Sequence, residues 1–187
     1  YSKNVTLNDI GKKNYIHNLY HNEAWIGSKE HEYPGVLEKS RLCFSEGEKI
    51  KVLLVEEDER QKLSILKEEL RSTCNVGKHS AHINDTQEET WRIASSVFNE
   101  NSIHFLNNRK MKATPKFDRF LDRHIATIRS RADYHDFCVD SSAVLSAYGL
   151  RDCRDLDFLH LRDIENLGPM IECHNAESHH YRVPKNE

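Results

Sequence analysis

Two aspartates two positions apart, Asp155 and Asp157, open the alternating run Asp155-Leu-Asp-Phe-Leu-His-Leu161. Side chains two apart on a strand point the same way, so the two carboxylates share a face and repel each other. A divalent cation removes that repulsion, and hard oxygen donors on one face suit Mg²⁺. Immediately upstream, residues 137–140 read as a short strand and 141–148 as a short helix with Val144, Leu145 and Tyr148 inward, ended by Gly149. Strand, helix, turn and strand thus converge on the carboxylate pair.

The segment Val139-Asp-Ser-Ser-Ala-Val-Leu-Ser-Ala-Tyr-Gly-Leu-Arg-Asp-Cys-Arg-Asp-Leu-Asp157 resembles the core motif of the nucleotidyltransferase superfamily. The members it looks closest to are small bacterial proteins in which a glycine/serine pair opens a helix, a Gly-Leu-Arg turn follows and an Asp-x-Asp strand comes next. The resemblance implies a minimal α/β fold in which the small pair cradles the phosphates of a nucleoside triphosphate and the aspartates hold catalytic Mg²⁺. It also implies in-line attack on the α-phosphate, clamped by metal. By position Ser141 and Ser142 match the phosphate-cradling pair, Asp155 and Asp157 match the metal-binding carboxylates, and Arg151 and Arg154 flank the site, where they could meet phosphate.

The sequence departs from that pattern twice. No glycine occurs in Asp140-Ser141-Ser142, which bears on close backbone approach to a triphosphate. The family also takes a third carboxylate from a later strand; Glu172, in Pro169-Met-Ile-Glu-Cys-His174, is the best placed, with Glu177 behind it. No motif supports either residue, and a core truncated before its third carboxylate is the alternative. The whole chain further resembles bacterial proteins found with surface-polysaccharide genes, which points the acceptor toward a sugar or polysaccharide precursor. Two other readings stay open: a glycosyltransferase whose Asp-x-Asp holds Mn²⁺ and a sugar nucleotide, and a non-catalytic binding or regulatory protein that keeps the fold.

Other residues invite chemistry and support it less. Gly77-Lys78-His79-Ser80 lacks the glycine a phosphate-binding loop needs five residues earlier, where Ser72 stands, and it follows a helix. Cys173, His174, His179 and His180 could be drawn as a zinc site, but their spacing matches no zinc pattern. Between Arg109 and Arg131, eight Lys/Arg face Asp118 and Asp122. That window could line the nucleotide site, grip a polyanion such as RNA or form a solvated helix face; the absence of interleaved exposed aromatics favours the solvated face.

The elements that must position these residues follow from periodicity and capping. A short helix covers roughly 12–20, and 49–55 is a β-branched run of strand length followed by Glu56-Glu57-Asp58-Glu59. Leu63, Leu66 and Leu70, with Ile65 beside them, predict a helix that stops near Gly77. Thr86 and Glu89 have capping-box spacing ahead of Trp91, Ile93, Ala94, Val97 and Phe98. Residues 102–106 read as a short strand. Thr114-Pro115 opens a helix with Phe117, Phe120, Leu121, Ile125 and Ile128 on one face.

The expected fold class is therefore α/β (α+β): a nucleotidyltransferase-like core with a mixed sheet at 110–187, preceded by an accessory α/β region at 1–109. The 187 residues, 37% hydrophobic and 30% charged, exclude a disulfide miniprotein, a disordered chain and a membrane protein. No apolar run approaches the about 18 residues of a spanning helix, and the start at Tyr1 has no signal-peptide layout and no methionine, as in a processed chain or fragment. Five cysteines without a C-x-x-C pair predict reduced thiols in a cytoplasmic protein, and the net charge of -3 gives no global pull toward nucleic acid.

Overall fold

A computed structural model describes residues 1–44, 47, 49–74, 76–127, 136–161 and 168–175. The chain divides into two compact units, Tyr1–Met111 and Lys112–Glu187, and each combines helices with one small sheet.

In the first unit, strand β1 (Ser2–Thr6) pairs antiparallel with β2 (Lys49–Leu53), Asn4 opposite Lys51. Helix α1 (Asp9–Tyr20) starts at Asn8, whose Oδ1 accepts the Gly11 N–H at 2.8 Å. Helix α2 (Pro34–Cys43) has proline at its first position, where the missing N–H costs nothing. A Cβ on Gly35 would lie 2.1 Å from the Trp25 carbonyl oxygen, so only glycine admits this approach.

Three further helices complete the unit: α3 (Arg60–Cys74), α4 (Gln87–Val97) and α5 (Glu100–Asn108). The strand expected at 102–106 is helical. Asn99 accepts the N–H groups of Asn101 and Ser102, and Ile103 and Leu106, three apart, reach the core as one helical face. Half of the expected capping box forms: Thr86 Oγ1 accepts the Glu89 N–H at 3.1 Å, while Glu89 Oε2 reaches one residue beyond the cap and accepts the Asp85 N–H at 2.8 Å.

The core consists of Val5, Leu7, Leu19, Ile93 and Val97, with a second cluster of Ile16, Ile26 and Val36. The leucine face expected of 63–70 does not reach it: Ile65, Leu66 and Leu70 are exposed, as is Trp91 of α4.

In the second unit, α6 (Pro115–Ile125), β3 (Phe137–Val139), α7 (Ser141–Ala147), β4 (Leu156–His160) and β5 (Ile171–Cys173) follow in order. The sheet is mixed, with β4 central, antiparallel to β3 and parallel to β5. Leu156, Phe158 and Ile171 bury one face against Phe117 and Ala143. His124 lies in the same layer, its ring centroid 4.4 Å from Phe137 and 4.6 Å from Phe158.

Helix α7 buries Ala143 and Ser146, not the expected Val144, Leu145 and Tyr148; Leu145 is exposed. Small inward residues let this seven-residue helix lie close to β4. Gly149, at φ 66°, closes it in the left-handed conformation, with the Leu150 N–H returning to the Leu145 carbonyl. Among the described residues, no helix is long and apolar enough to cross a membrane.

Candidate functional site

The register of the second sheet assembles the site. Val139 faces Phe158 across β3 and β4, and Asp157 faces Glu172 across β4 and β5. Just beyond β3, the Asp140 N–H donates to the Asp157 carbonyl at 2.8 Å, which continues the ladder by one residue. Directly opposed residues on neighbouring strands share a face. Asp140, Asp157 and Glu172 therefore form a row across all three strands, while their neighbours Val139, Phe158 and Cys173 face the core.

His174, one residue past β5, joins that polar face through Asp157, and Asp155 stands one residue before β4. The His174 N–H donates to the Phe158 carbonyl at 2.8 Å, and its ring lies between carboxylates: Nδ1 is 3.5 Å from Asp140 Oδ2, and Nε2 is 3.5 Å from Asp157 Oδ1. Asp157 is buried. Burial pushes its carboxyl above the usual range; His174 opposes this, and Asp155, Glu172 and Asp140 add to it.

Beside this row lies a cleft of about 470 Å³ lined by Lys116, Ser142, Arg151, Asp152, Cys153, Arg154 and Asp155. Three cations on one concave surface favour an anion, and Asp155 at the same cleft lies close enough to raise Asp157. Asp152 is the structural anchor of this wall. Its carboxylate accepts N–H groups from Lys116 at 3.0 Å, Phe117 at 3.1 Å and Cys153 at 3.1 Å. Burial works against the charge, yet these three donors and the Lys116 ammonium hold the carboxyl below its ordinary range. The N-terminus of α6 is therefore capped by Asp152 from a distant segment. Thr114, expected as the cap, occupies the position, but its hydroxyl caps no backbone N–H.

Ser141 has φ 50°, in the left-handed region that glycine favours.

Of the residues singled out in the sequence, Ser142, Arg151, Arg154 and Asp155 line the cleft together; Ser141 is not part of that lining. Asp157 and Glu172 meet across the β4/β5 pair. Asp155 does not join the tight donor group: among the described residues, Asp157, Glu172 and His174 have ligand atoms within 4.8 Å of one another. Two carboxylates and an imidazole suit a divalent cation, and the imidazole makes the set a poorer match to Mg²⁺ than an all-oxygen one. Ile128, Arg129, Arg131, Glu177, His179 and His180 lie outside the described residues.

Sequence reasoning set His174 aside with a zinc pattern that it does not fit and missed Asp140 and the cleft role of Asp152. The signal for His174 was its place two residues after Glu172, just past β5. The others needed the register and the chain's return past the start of α6. Comparison with known proteins adds no further assignment: no protein-family model, curated protein or solved structure matches this chain.

Proposed function

We propose that the second unit is a nucleotidyltransferase-like core that binds a nucleoside triphosphate with a divalent cation and transfers its nucleotidyl group to an acceptor, a sugar or polysaccharide precursor being the expected class. The observation that carries this reading is the cleft holding Lys116, Arg151, Arg154 and Ser142 with Asp155 on its wall. A triphosphate needs cations and hydroxyl or backbone donors on one side and carboxylate-held metal on the other. The cations and the carboxylates occur on adjoining surfaces of this small unit.

Arg151 and Arg154 would pair with phosphate oxygens, and Lys116 would add a point charge at the same wall. Ser142 would donate its hydroxyl, and the left-handed Ser141 turns the backbone at the start of α7 as a glycine would. Asp157 and Glu172 would hold the cation, with Asp155 beside them at the cleft and Mg²⁺ and Mn²⁺ as the candidate ions. When bound, that cation supplies charge neutralisation at the phosphate under attack. The protein's own part is to orient the triphosphate along the cationic wall, so that the α-phosphate faces the carboxylate row.

Calorimetric titration of ATP and CTP in the presence of Mg²⁺ or Mn²⁺ tests the reading. Wild type is expected to bind, and the Asp155→Ala/Asp157→Ala double variant to lose binding. Absence of binding by any nucleoside triphosphate, or unchanged binding in the double variant, contradicts it. Tighter binding of a UDP- or GDP-sugar with Mn²⁺ would instead favour a glycosyltransferase.

A further inference from the structure

We infer that Asp157, Glu172 and His174 form a three-ligand site for one divalent first-row transition ion in preference to Mg²⁺, with Asp140 as the residue that orients the histidine. The site shares Asp157 and Glu172 with the cation of the proposed transfer reaction, and the inference concerns which ion these donors hold, with or without nucleotide.

The first ground is donor geometry. His174 Nε2 and Asp157 Oδ1 are 3.5 Å apart, too far for a good hydrogen bond. Two donors bound to one ion at about 2.1 Å with a tetrahedral angle stand roughly 3.4 Å apart. The Glu172 carboxylate completes a group whose ligand atoms all lie within 4.8 Å.

The second ground is the far side of the imidazole. Metal-bound histidines commonly direct their other ring nitrogen to a carboxylate, which fixes the ring and its tautomer. Asp140 Oδ2 stands 3.5 Å from His174 Nδ1, on the side opposite Asp157. The backbone that carries the ring is held by the bond from the His174 N–H to the Phe158 carbonyl and by the neighbouring bond from the His160 N–H to Asn175 Oδ1, both 2.8 Å.

The third ground is electrostatic. Asp140, Asp157 and Glu172 are laid side by side by the strand register, and like charges directly opposed weaken a sheet. A dication between them reverses that penalty. An all-carboxylate set would suit Mg²⁺, but an imidazole among the donors shifts preference to transition ions.

The test uses the full chain without nucleotide and Mn²⁺ as the probe. Pulsed EPR of bound Mn²⁺ is expected to reveal ¹⁴N coupling from one imidazole, and Zn²⁺ should displace the Mn²⁺. In titrations, Mn²⁺ should bind at least tenfold more tightly than Mg²⁺. His174→Ala should collapse that ratio toward one, while Asp140→Asn should weaken Mn²⁺ about 10–100-fold, the usual cost of losing an orienting partner. Bound Mn²⁺ without nitrogen coupling, an unchanged ratio in His174→Ala, or no Mn²⁺ binding at millimolar concentration would overturn the inference. The wild-type spectrum decides the question even if a variant fails to fold. Nitrogen coupling without any nucleotide binding would leave this site standing and remove the nucleotidyltransferase reading; nucleotide binding without nitrogen coupling would do the reverse.

Discussion

The two units differ in how they use polar residues. In Tyr1–Met111 the described polar side chains cap helices and tie distant segments together: Asn8, Thr86 and Asn99 each cap the helix that follows them, buried Asn14 donates to the Leu106 and Arg109 carbonyls, and Lys3 meets Glu100 at 2.6 Å. In Lys112–Glu187 residues distant in sequence bring charge together. Asp152 caps a helix about 35 residues away, and three strands carry Asp140, Asp157 and Glu172 into one row with His174. Polar groups that pair with donors and acceptors inside the fold contribute to folding, whereas like charges gathered by a sheet cost stability.

The comparison can be tested by perturbing each unit in turn. The largest effect is expected at Phe158, fully buried in the second core: Phe158→Ala should cost about 3–5 kcal/mol, read as faster hydrogen exchange at the β4 amides. In the first unit, burial and then Arg109, His21 and Lys29 push the His17 pKa down to about 4. Its unfolded form takes up a proton near pH 6.5 and the folded form does not, so this stability is complete above pH 6.5 and is lost progressively as pH falls toward 4. The loss should approach about 3 kcal/mol, at 1.36 kcal/mol per unit. Urea denaturation followed by tryptophan fluorescence reads it, since Trp25 and Trp91 both lie in this unit, and His17→Gln should flatten the dependence.

Smaller effects separate local from long-range capping. Asp152→Ala should cost about 1–2 kcal/mol at pH 7. Because the folded Asp152 pKa is depressed, that contribution is present above the ordinary carboxylate range and disappears as pH falls through the folded value; thermal melts of wild type and variant should converge in acid. Thr86→Ala, which removes a local cap, should cost about 1 kcal/mol with little dependence on pH. Smallest and opposite in sign, Ser141→Gly should stabilise the second unit by up to about 1 kcal/mol, because Ser141 has a positive φ. Equal pH dependence of the Asp152 and Thr86 variants would erase the proposed difference between the units.

Legibility in the sequence follows the same division. The helices begun by Thr86 and Thr114-Pro115 were readable because start signals are local, and the β2 and β4 strands because their side chains alternate or branch. Strand β1 was not readable: Val5 is its single buried side chain, and its pairing partner begins over forty residues later. Residues 102–106 misled because Ile, His, Phe and Leu alternate as a strand does, while the cap at Asn99 that makes them helical stands outside the window. At the site, Asp155 and Asp157 were visible as a pair, although β4 starts at Leu156 and carries only Asp157, and Glu172 was visible as a nearby carboxylate. His174 was set aside with the zinc pattern it does not fit. Its role depends on the parallel pairing of β5 with β4, which only tertiary structure specifies.

The central claim is that the second unit binds a nucleoside triphosphate and a divalent ion at the junction of the cationic cleft and the carboxylate row. The most direct measurement is the backbone amide NMR spectrum of the ¹⁵N-labelled full chain as ATP or CTP and Mg²⁺ are added. Shifts concentrated at Lys116, Ser141, Ser142, residues 151–157 and residues 171–174 are predicted, with the amides of Tyr1–Met111 unmoved. Shifts centred within Tyr1–Met111, or no shifts at saturating nucleotide, would contradict it.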